Sequence, residues 1–194
     1  SMTDARIVRT RAALHSAITE LASTKPVPSI SVSELATHAG INRVTFYKHF
    51  ASPAEVLGSA LALDLDSTRE HYITRYATHS GDPVDIFVGS IDQILDHIDR
   101  LRPLYVLSIN TPQDGTVPNL LADHFTVTIT QYLQQRESWE PALPEFDRAV
   151  VARFLAHGLV GAIKAWVLSG SRDHEVCLRS VVAAAPAWWF PASE

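Results

Sequence analysis

Residues 31–50 have the sequence SVSELATHAGINRVTFYKHF, which predicts two short helices joined by a glycine turn. Ser31, followed three positions later by Glu34, forms a capping box, a signal that begins a helix. Gly40 suits the end of that helix because glycine adopts left-handed backbone angles without strain. Asn42 can then cap a second helix. Two short helices around a tight turn form a helix-turn-helix.

The second helix, predicted from Arg43 to about Phe50, carries two kinds of side chain. Phe46 and Phe50 are four positions apart on one face, so we expect them to be buried against neighbouring helices. The other positions offer donors and small apolar groups that suit base edges and phosphate oxygens in a DNA groove. An exposed polar helix face that only meets water is the alternative. The predicted DNA-binding residues are Ser31, Ser33, Asn42, Arg43, Val44, Thr45, Tyr47, Lys48 and His49.

The remainder of the chain shows helical periodicity and no alternating strand pattern. A helix over 4–24 ends at two prolines, and a capping box at residues 52–55 begins a long helix. The sequence therefore predicts an all-α protein of about nine helices. We expect a three-helix DNA-binding head over 2–52 and a larger ligand-binding and dimerisation bundle over 53–194. The later helices are predicted over 83–100, 103–110, 118–137, 145–169 and 172–188.

The stretch 31–50 resembles the DNA-binding signature of the TetR family of repressors, and the resemblance covers about residues 5–60. It implies a homodimer that binds a palindromic operator and a helical C-terminal domain that responds to a small ligand. It also implies that Tyr47 contacts DNA. One departure is Pro53, at a position where the family often has a lysine that contacts phosphate. The residues that carry the resemblance are Ala36, Gly40, Thr45, Phe46, Tyr47, His49 and Phe50.

Charge is distributed unevenly along the 194 residues, whose formal net charge is −5. Residues 1–55 carry six basic and four acidic side chains, a net charge of +2, so the rest of the chain carries −7. A mildly basic head on an acidic body is compatible with DNA binding by the head alone.

Composition predicts a globular protein of the cytoplasm. The hydrophobic share is 46%, enough for a sizeable core. The single cysteine, Cys177, excludes an internal disulfide and fits a reducing compartment. No uninterrupted apolar run of about 18 residues and no signal-peptide pattern occur, so we expect no membrane partner.

The predicted bundle carries aromatic and polar residues on otherwise apolar helix faces. Such residues can line the largely apolar cavity of a small-molecule effector. Ordinary core packing is the alternative for each of them. The candidates are Phe87, His97, Tyr105, His124, Phe125, Tyr132 and Trp166.

A stripe of small residues in the predicted helix 145–169 would let a second helix approach closely. We expect a dimer seam here, formed together with the last helix. The resemblance to the TetR family implies the same location. Packing of the stripe inside the monomer is the alternative. The candidate seam residues are Phe154, His157, Gly158, Gly161, Ala162, Ala165 and Val181.

Enzymatic and metal-binding functions have little support. No catalytic, zinc-binding or phosphate-binding motif occurs. Asp92, Asp96 and Asp99 share one side of a helix with His97 nearby, but matching ligands on other helices are not evident, so a solvated acidic face is expected. We therefore predict a ligand-responsive DNA-binding transcription regulator, without catalytic residues, metal or cofactor. A helical small-molecule-binding protein or enzyme without a DNA-binding role is the alternative.

Overall fold

A computed structural model describes residues 2–192 of the chain. Nine α-helices, one short 3-10 turn at Val27–Ser29 and no strand occur in that range, which confirms the all-α prediction. The helices are α1 (Met2–Ala22), α2 (Val32–His38), α3 (Arg43–Tyr47), α4 (Pro53–Ala77), α5 (Pro83–Arg100), α6 (Arg102–Asn110), α7 (Thr116–Arg136), α8 (Arg148–Leu168) and α9 (His174–Ala184).

The helices form two compact units. The first unit contains the chain up to Leu63 together with Leu101–Val117, and the second contains Asp64–Arg100 together with the chain from Pro118 onward. Helix α4 therefore contributes residues to both units. These units are defined by packing, and the division of function after residue 52 stays a prediction.

The first unit packs α1, α2, α3 and the start of α4 around an apolar core, in which Leu14, Leu35 and Leu57 have no exposed area. Polar contacts join α1 to α4: the ring of His15 lies 2.9 Å (Nε2 to Oγ) from Ser59. In the same unit, the buried carboxylate of Asp114 accepts a hydrogen bond from the backbone amide of Val27 at 3.4 Å.

Two helices of the second unit are shorter than predicted because aspartates cap them. The carboxylate of Asp147 accepts from the amide of Val150 at 2.9 Å, so α8 begins after residue 147 instead of at 145. Asp173 likewise accepts from the amide of Glu175 at 3.0 Å and begins α9 at residue 174 instead of 172. Helix α9 ends before Pro186 and does not continue to 188.

Aromatic side chains form much of the core of the second unit. The ring of Tyr132 lies 4.8 Å from that of Tyr76 and 4.4 Å from that of Trp189. The Tyr132 hydroxyl donates to the backbone carbonyl of Trp189. Arg136, 1% exposed, donates at 3.0 Å to the carbonyl of Trp188. The C-terminal tryptophans are therefore tied to the core of this unit.

Candidate functional site

Helix α3 is held in place by a cap and two buried rings. The side-chain oxygen of Asn42 accepts from the amide of Thr45 at 2.8 Å, as predicted. Phe46 and Phe50 are 0% and 4% exposed, and their ring centres lie 6.5 Å apart. The guanidinium of Arg11, on α1, lies 4.4 Å from the centre of the Phe50 ring. One side of this short helix is thus fixed against its own unit.

The turn before α3 also has the predicted chemistry. Gly40 has φ +71°, the left-handed conformation that favours glycine. Ser31 caps α2 by accepting from the amide of Glu34 at 3.1 Å. Only half of the predicted capping box forms there, because the carboxylate of Glu34 pairs with the Lys25 ammonium at 2.6 Å instead.

The opposite side of α3 is exposed and rich in donors. Arg43 and Lys48 are exposed, as are Val44 at 68% and Tyr47 at 53%. The Arg43 guanidinium lies 6.0 Å from the centre of the Tyr47 ring, close enough for a cation–π contact. Of the nine predicted DNA-binding residues, Thr45 and His49 are only half-exposed and the other seven are exposed.

Seven exposed residues around α2 and α3 make a surface that can meet nucleic acid. A guanidinium can donate to two acceptors of one base, and the Val44 side chain offers an apolar contact. The hydroxyls of Ser31 and Ser33 can donate to phosphate oxygens, because the cap uses only a lone pair of Ser31.

A small cavity of about 30 Å³ lies within the second unit. Four of the seven predicted ligand-binding residues line it, namely Phe87, His124, Phe125 and Tyr132. The structure therefore brings together residues from α5 and α7 that are far apart in sequence.

The other three predicted ligand-binding residues lie outside the cavity walls. His97 is buried and its Nδ1 lies 3.0 Å from a carboxylate oxygen of Asp64. Tyr105 has no exposed area and belongs to the first unit. The Trp166 indole donates to the backbone carbonyl of Asp173 at 3.0 Å.

Ten of the fourteen cavity residues were not among the sequence candidates, and Arg69, Tyr72 and Trp189 are three of them. Arg69 and Tyr72 share the face of α4 that also carries the buried Leu65 and Tyr76, at a spacing of three or four residues. This spacing is the signal that could have identified them. Trp189 lies in a short irregular segment, for which periodicity gives no orientation.

Burial and charge fix the protonation of the cavity. Burial, assisted by the nearby Arg69 guanidinium, lowers the pKa of His124 to about 3, so its imidazole is neutral in the physiological range. The guanidinium of Arg69 donates to Nδ1 of His124 at 2.9 Å and to the hydroxyl of Thr128 at 3.0 Å. Burial also raises the pKa of Tyr72 well above its ordinary value of 10.0.

A larger apolar groove of about 850 Å³ runs along α8 and α9. Phe154 is 75% exposed, and Gly158, Gly161 and Ala165 are exposed as well. A Cβ atom built on either glycine would meet nothing within 4 Å. The small-residue stripe therefore does not pack inside the described part of this unit. Five predicted seam residues line the groove: Phe154, His157, Gly158, Ala162 and Val181.

Helix α8 is also long and apolar enough to cross a membrane, judged by length and composition alone. It contains no uninterrupted apolar run of about 18 residues because Arg153 and Lys164 divide the apolar stretch. Only 28% of its most apolar 18-residue stretch is buried inside the described part of the chain. We therefore expect a partner outside its own unit to cover its apolar outer face.

Outside these regions, His174 joins the three aspartates of α5. Its two ring nitrogens lie 2.7 Å from carboxylate oxygens of Asp92 and Asp99. Potential ligand atoms of Asp92, Asp96 and His174 lie within 4.8 Å of one another. No candidate ligand on another helix was evident from the sequence, whereas folding brings His174 of α9 to these aspartates. Both of its nitrogens already have carboxylate partners, which explains the arrangement without an ion.

The single cysteine, Cys177, is buried. Burial raises the pKa of its thiol, so the less reactive protonated form is favoured.

Comparison with known proteins links the first unit to a family. Residues 14–60 match the family described as bacterial regulatory proteins, tetR family. The chain is 25% identical over 138 residues, 69% of its length, to the HTH-type transcriptional regulator YxbF of Bacillus subtilis (strain 168). It spans only 34% of the length of that relative.

Solved structures resemble almost the whole chain. The dihydroxyacetone kinase operon activator DhaS has a TM-score of 0.61 at 14% identity, over 94% of this chain and 98% of that one. FadR of Thermus thermophilus, a transcriptional repressor in complex with lauroyl-CoA, has a TM-score of 0.62 at 18% identity, over 89% of this chain and 91% of that one. At these identities the likeness concerns the fold. The segment that contains the helix-turn-helix, residues 14–60, is thus similar to the tetR family of bacterial regulatory proteins.

Proposed function

We propose that the protein is a DNA-binding transcription regulator of the bacterial cytoplasm, and that α3 is its recognition helix. The observation that carries this proposal is the exposed face of α3, where Arg43, Val44 and Tyr47 project while Phe46 is buried. The match of residues 14–60 to a family of regulatory proteins argues against the enzymatic alternative. In this proposal Arg43 and Val44 contact base edges, and Tyr47 and Lys48 contact phosphates.

The proposed regulator acts as a homodimer through α8 and α9. An apolar helix face with Phe154 75% exposed is unfavourable in water and favours burial against a second copy. Two recognition helices related by a two-fold axis would enter successive major grooves, about 34–36 Å apart. The operator is then a palindrome with that spacing.

Effector binding in the second unit would control DNA binding. The cavity supports this part of the proposal, and so does helix α4, which carries the cavity residues Arg69 and Tyr72 and also belongs to the first unit. An effector shifts the population of the dimer only if it binds the DNA-bound and DNA-free conformations with different affinities. We propose repression because the resemblance to the TetR family of repressors implies it. Lauroyl-CoA, which is bound in the Thermus thermophilus structure, is one compound to test as an effector.

The test is an unbiased selection of duplexes by the purified protein, followed by affinity measurements at low and high salt. We expect a palindromic site whose affinity falls steeply with salt, because phosphate contacts release counterions. The exposed Arg179 of α9 is a matched control for Arg43: Arg43→Ala should weaken binding, whereas Arg179→Ala should not. Failure to select any duplex would favour a small-molecule-binding protein without a DNA-binding role.

A further inference from the structure

The cavity of the second unit contains two buried polar groups with no hydrogen bond of normal geometry to the described residues. They are the hydroxyl of Tyr72 and the indole nitrogen of Trp189. Both residues line the cavity and both are 4% exposed. The two groups interact with each other, and Tyr72 also interacts with Tyr76, but these contacts lack hydrogen-bond geometry, so a bound acceptor would satisfy both donors better. A volume of about 30 Å³ has room for one water molecule or one small polar head group.

A third donor follows from the contact between Arg69 and His124. A guanidinium can only donate, so Nδ1 of His124, 2.9 Å from it, must be the acceptor. The neutral imidazole then carries its proton on Nε2. His124 therefore adds an N–H donor to those of Tyr72 and Trp189.

Two hydroxyl side chains of the cavity walls add no free donor to these three. Thr128 and Ser90 donate to backbone carbonyls of their own helices, at 2.9 Å and 2.8 Å. Arg69 is the single charged residue among the described residues that line the cavity. The Arg69 guanidinium pairs with the exposed carboxylate of Asp66 at 3.2 Å, outside the set of wall residues. Since no carboxylate lines these walls, a cationic ligand has no partner there, whereas an anionic acceptor meets three donors.

The body of such a ligand must be apolar. The cavity shares four wall residues with the groove along α8 and α9: Phe87, Ile129, Leu159 and Trp189. From this shared wall the groove continues between apolar side chains such as those of Leu155 and Ala185. Phe154, at the proposed dimer face, also borders the groove, and the ligand needs only the part near Leu159.

We propose that the second unit binds a small apolar carboxylate, with its carboxylate among Tyr72, His124 and Trp189 and its hydrocarbon body along the groove. This inference names the effector class and rests on the proposed ligand-responsive function.

The test compares butanoate, octanoate and dodecanoate with the amine and the alcohol of the same chain length. Binding is measured by tryptophan fluorescence and by the thermal unfolding of the full chain. We expect saturable binding of at least one carboxylate, about tenfold or more tighter than its amine or alcohol. Tyr72→Phe removes one donor and should weaken that carboxylate by about tenfold. The unliganded variant should unfold at the parent's temperature or higher, because an unsatisfied buried hydroxyl has gone.

Tyr47→Phe, the same change on exposed α3, is the matched control and should bind the carboxylate like the parent. Saturable binding of no carboxylate, equal binding of the amine, or an unchanged affinity in Tyr72→Phe would each overturn the proposal. A carboxylate that binds as expected without releasing operator DNA would leave this site intact and contradict the ligand-responsive function. Release of DNA by another compound, with no carboxylate binding, would contradict this inference alone.

Discussion

Helices α3 and α8 each present an exposed face, and the chemistry of the two faces is opposite. Along α3 and the three residues after it, an arginine, a tyrosine and a lysine are exposed, and the apolar rings of Phe46 and Phe50 are buried. In α8 the exposed side includes Val150 at 66%, Phe154 at 75% and Leu168 at 50%. A polar face can exchange water for DNA, whereas an apolar face is favoured only when protein or another apolar partner covers it.

The difference teaches that exposure has to be interpreted together with chemistry. The face of α3 is satisfied by water in the free protein, so its partner can bind reversibly. The face of α8 is unfavourable in the free chain, so its partner is expected to stay bound. Substitutions on the two helices should therefore affect different measurements.

The largest effect is expected from Phe154→Asp. A charge placed in an apolar seam loses its hydration, so we expect the dimer dissociation constant to rise by about a hundredfold or more. Light scattering coupled to gel filtration measures this. Val127→Asp, at a 44% exposed position on α7, is the matched control and should leave the mass unchanged. If the parent protein is monomeric at micromolar concentration, the exposed face of α8 does not form a dimer interface, and the contrast with α3 fails.

The next effect concerns DNA. Arg43→Ala and Tyr47→Ala should each lower operator affinity by on the order of tenfold to a hundredfold, since each removes a contact to a base or a phosphate. Helix content and dimer mass should stay unchanged, because both side chains are exposed. Fluorescence anisotropy with the selected operator is the measurement, and parent-like affinity in both variants would show that α3 is not the recognition helix.

A smaller effect is expected at the cap of α3. Asn42→Ala removes the acceptor of the Thr45 amide and should lower the free energy of unfolding by about 1 kcal/mol. Asn42→Asp keeps an acceptor oxygen and serves as the control with a smaller loss. Urea denaturation measures both, and equal stability of Asn42→Ala and the parent would mean that the cap does not stabilise α3.

The smallest effect is a pH dependence in the second unit. Burial lowers the pKa of His174, but hydrogen bonds to Asp99 and Asp92 outweigh it, so the pKa lies above its ordinary value of 6.5. Protonation of His174 therefore stabilises the fold. The contribution is complete below about pH 6.5 and is lost as the pH rises through the raised pKa.

His174→Gln should flatten this part of the stability profile, measured by urea denaturation across that pH range. His71→Gln, at an exposed position on α4, is the control and should keep it. An unchanged profile in His174→Gln would assign the pH dependence to another group. The expected effect is small because burial and hydrogen bonding shift the pKa in opposite directions.

Local signals made the first unit largely predictable. Asn42, Gly40 and Phe46 act on residues within one or two turns, and each has the cap, turn or anchor role that its type and spacing predict. The same reasoning missed Asp147 and Asp173, which cap α8 and α9, so those helices were predicted too long.

The sequence alone determined the helical class, the helix-turn-helix and the division of α3 into a buried and an exposed side, because those properties depend on neighbours a few positions apart. Only the tertiary structure decided the cavity and the partners of His174. Tyr72, His124 and Trp189 come together from α4, α7 and the C-terminal segment. Periodicity gives each helix a buried face, but it does not say which buried faces meet. That choice depends on how the helices pack, which no single segment encodes.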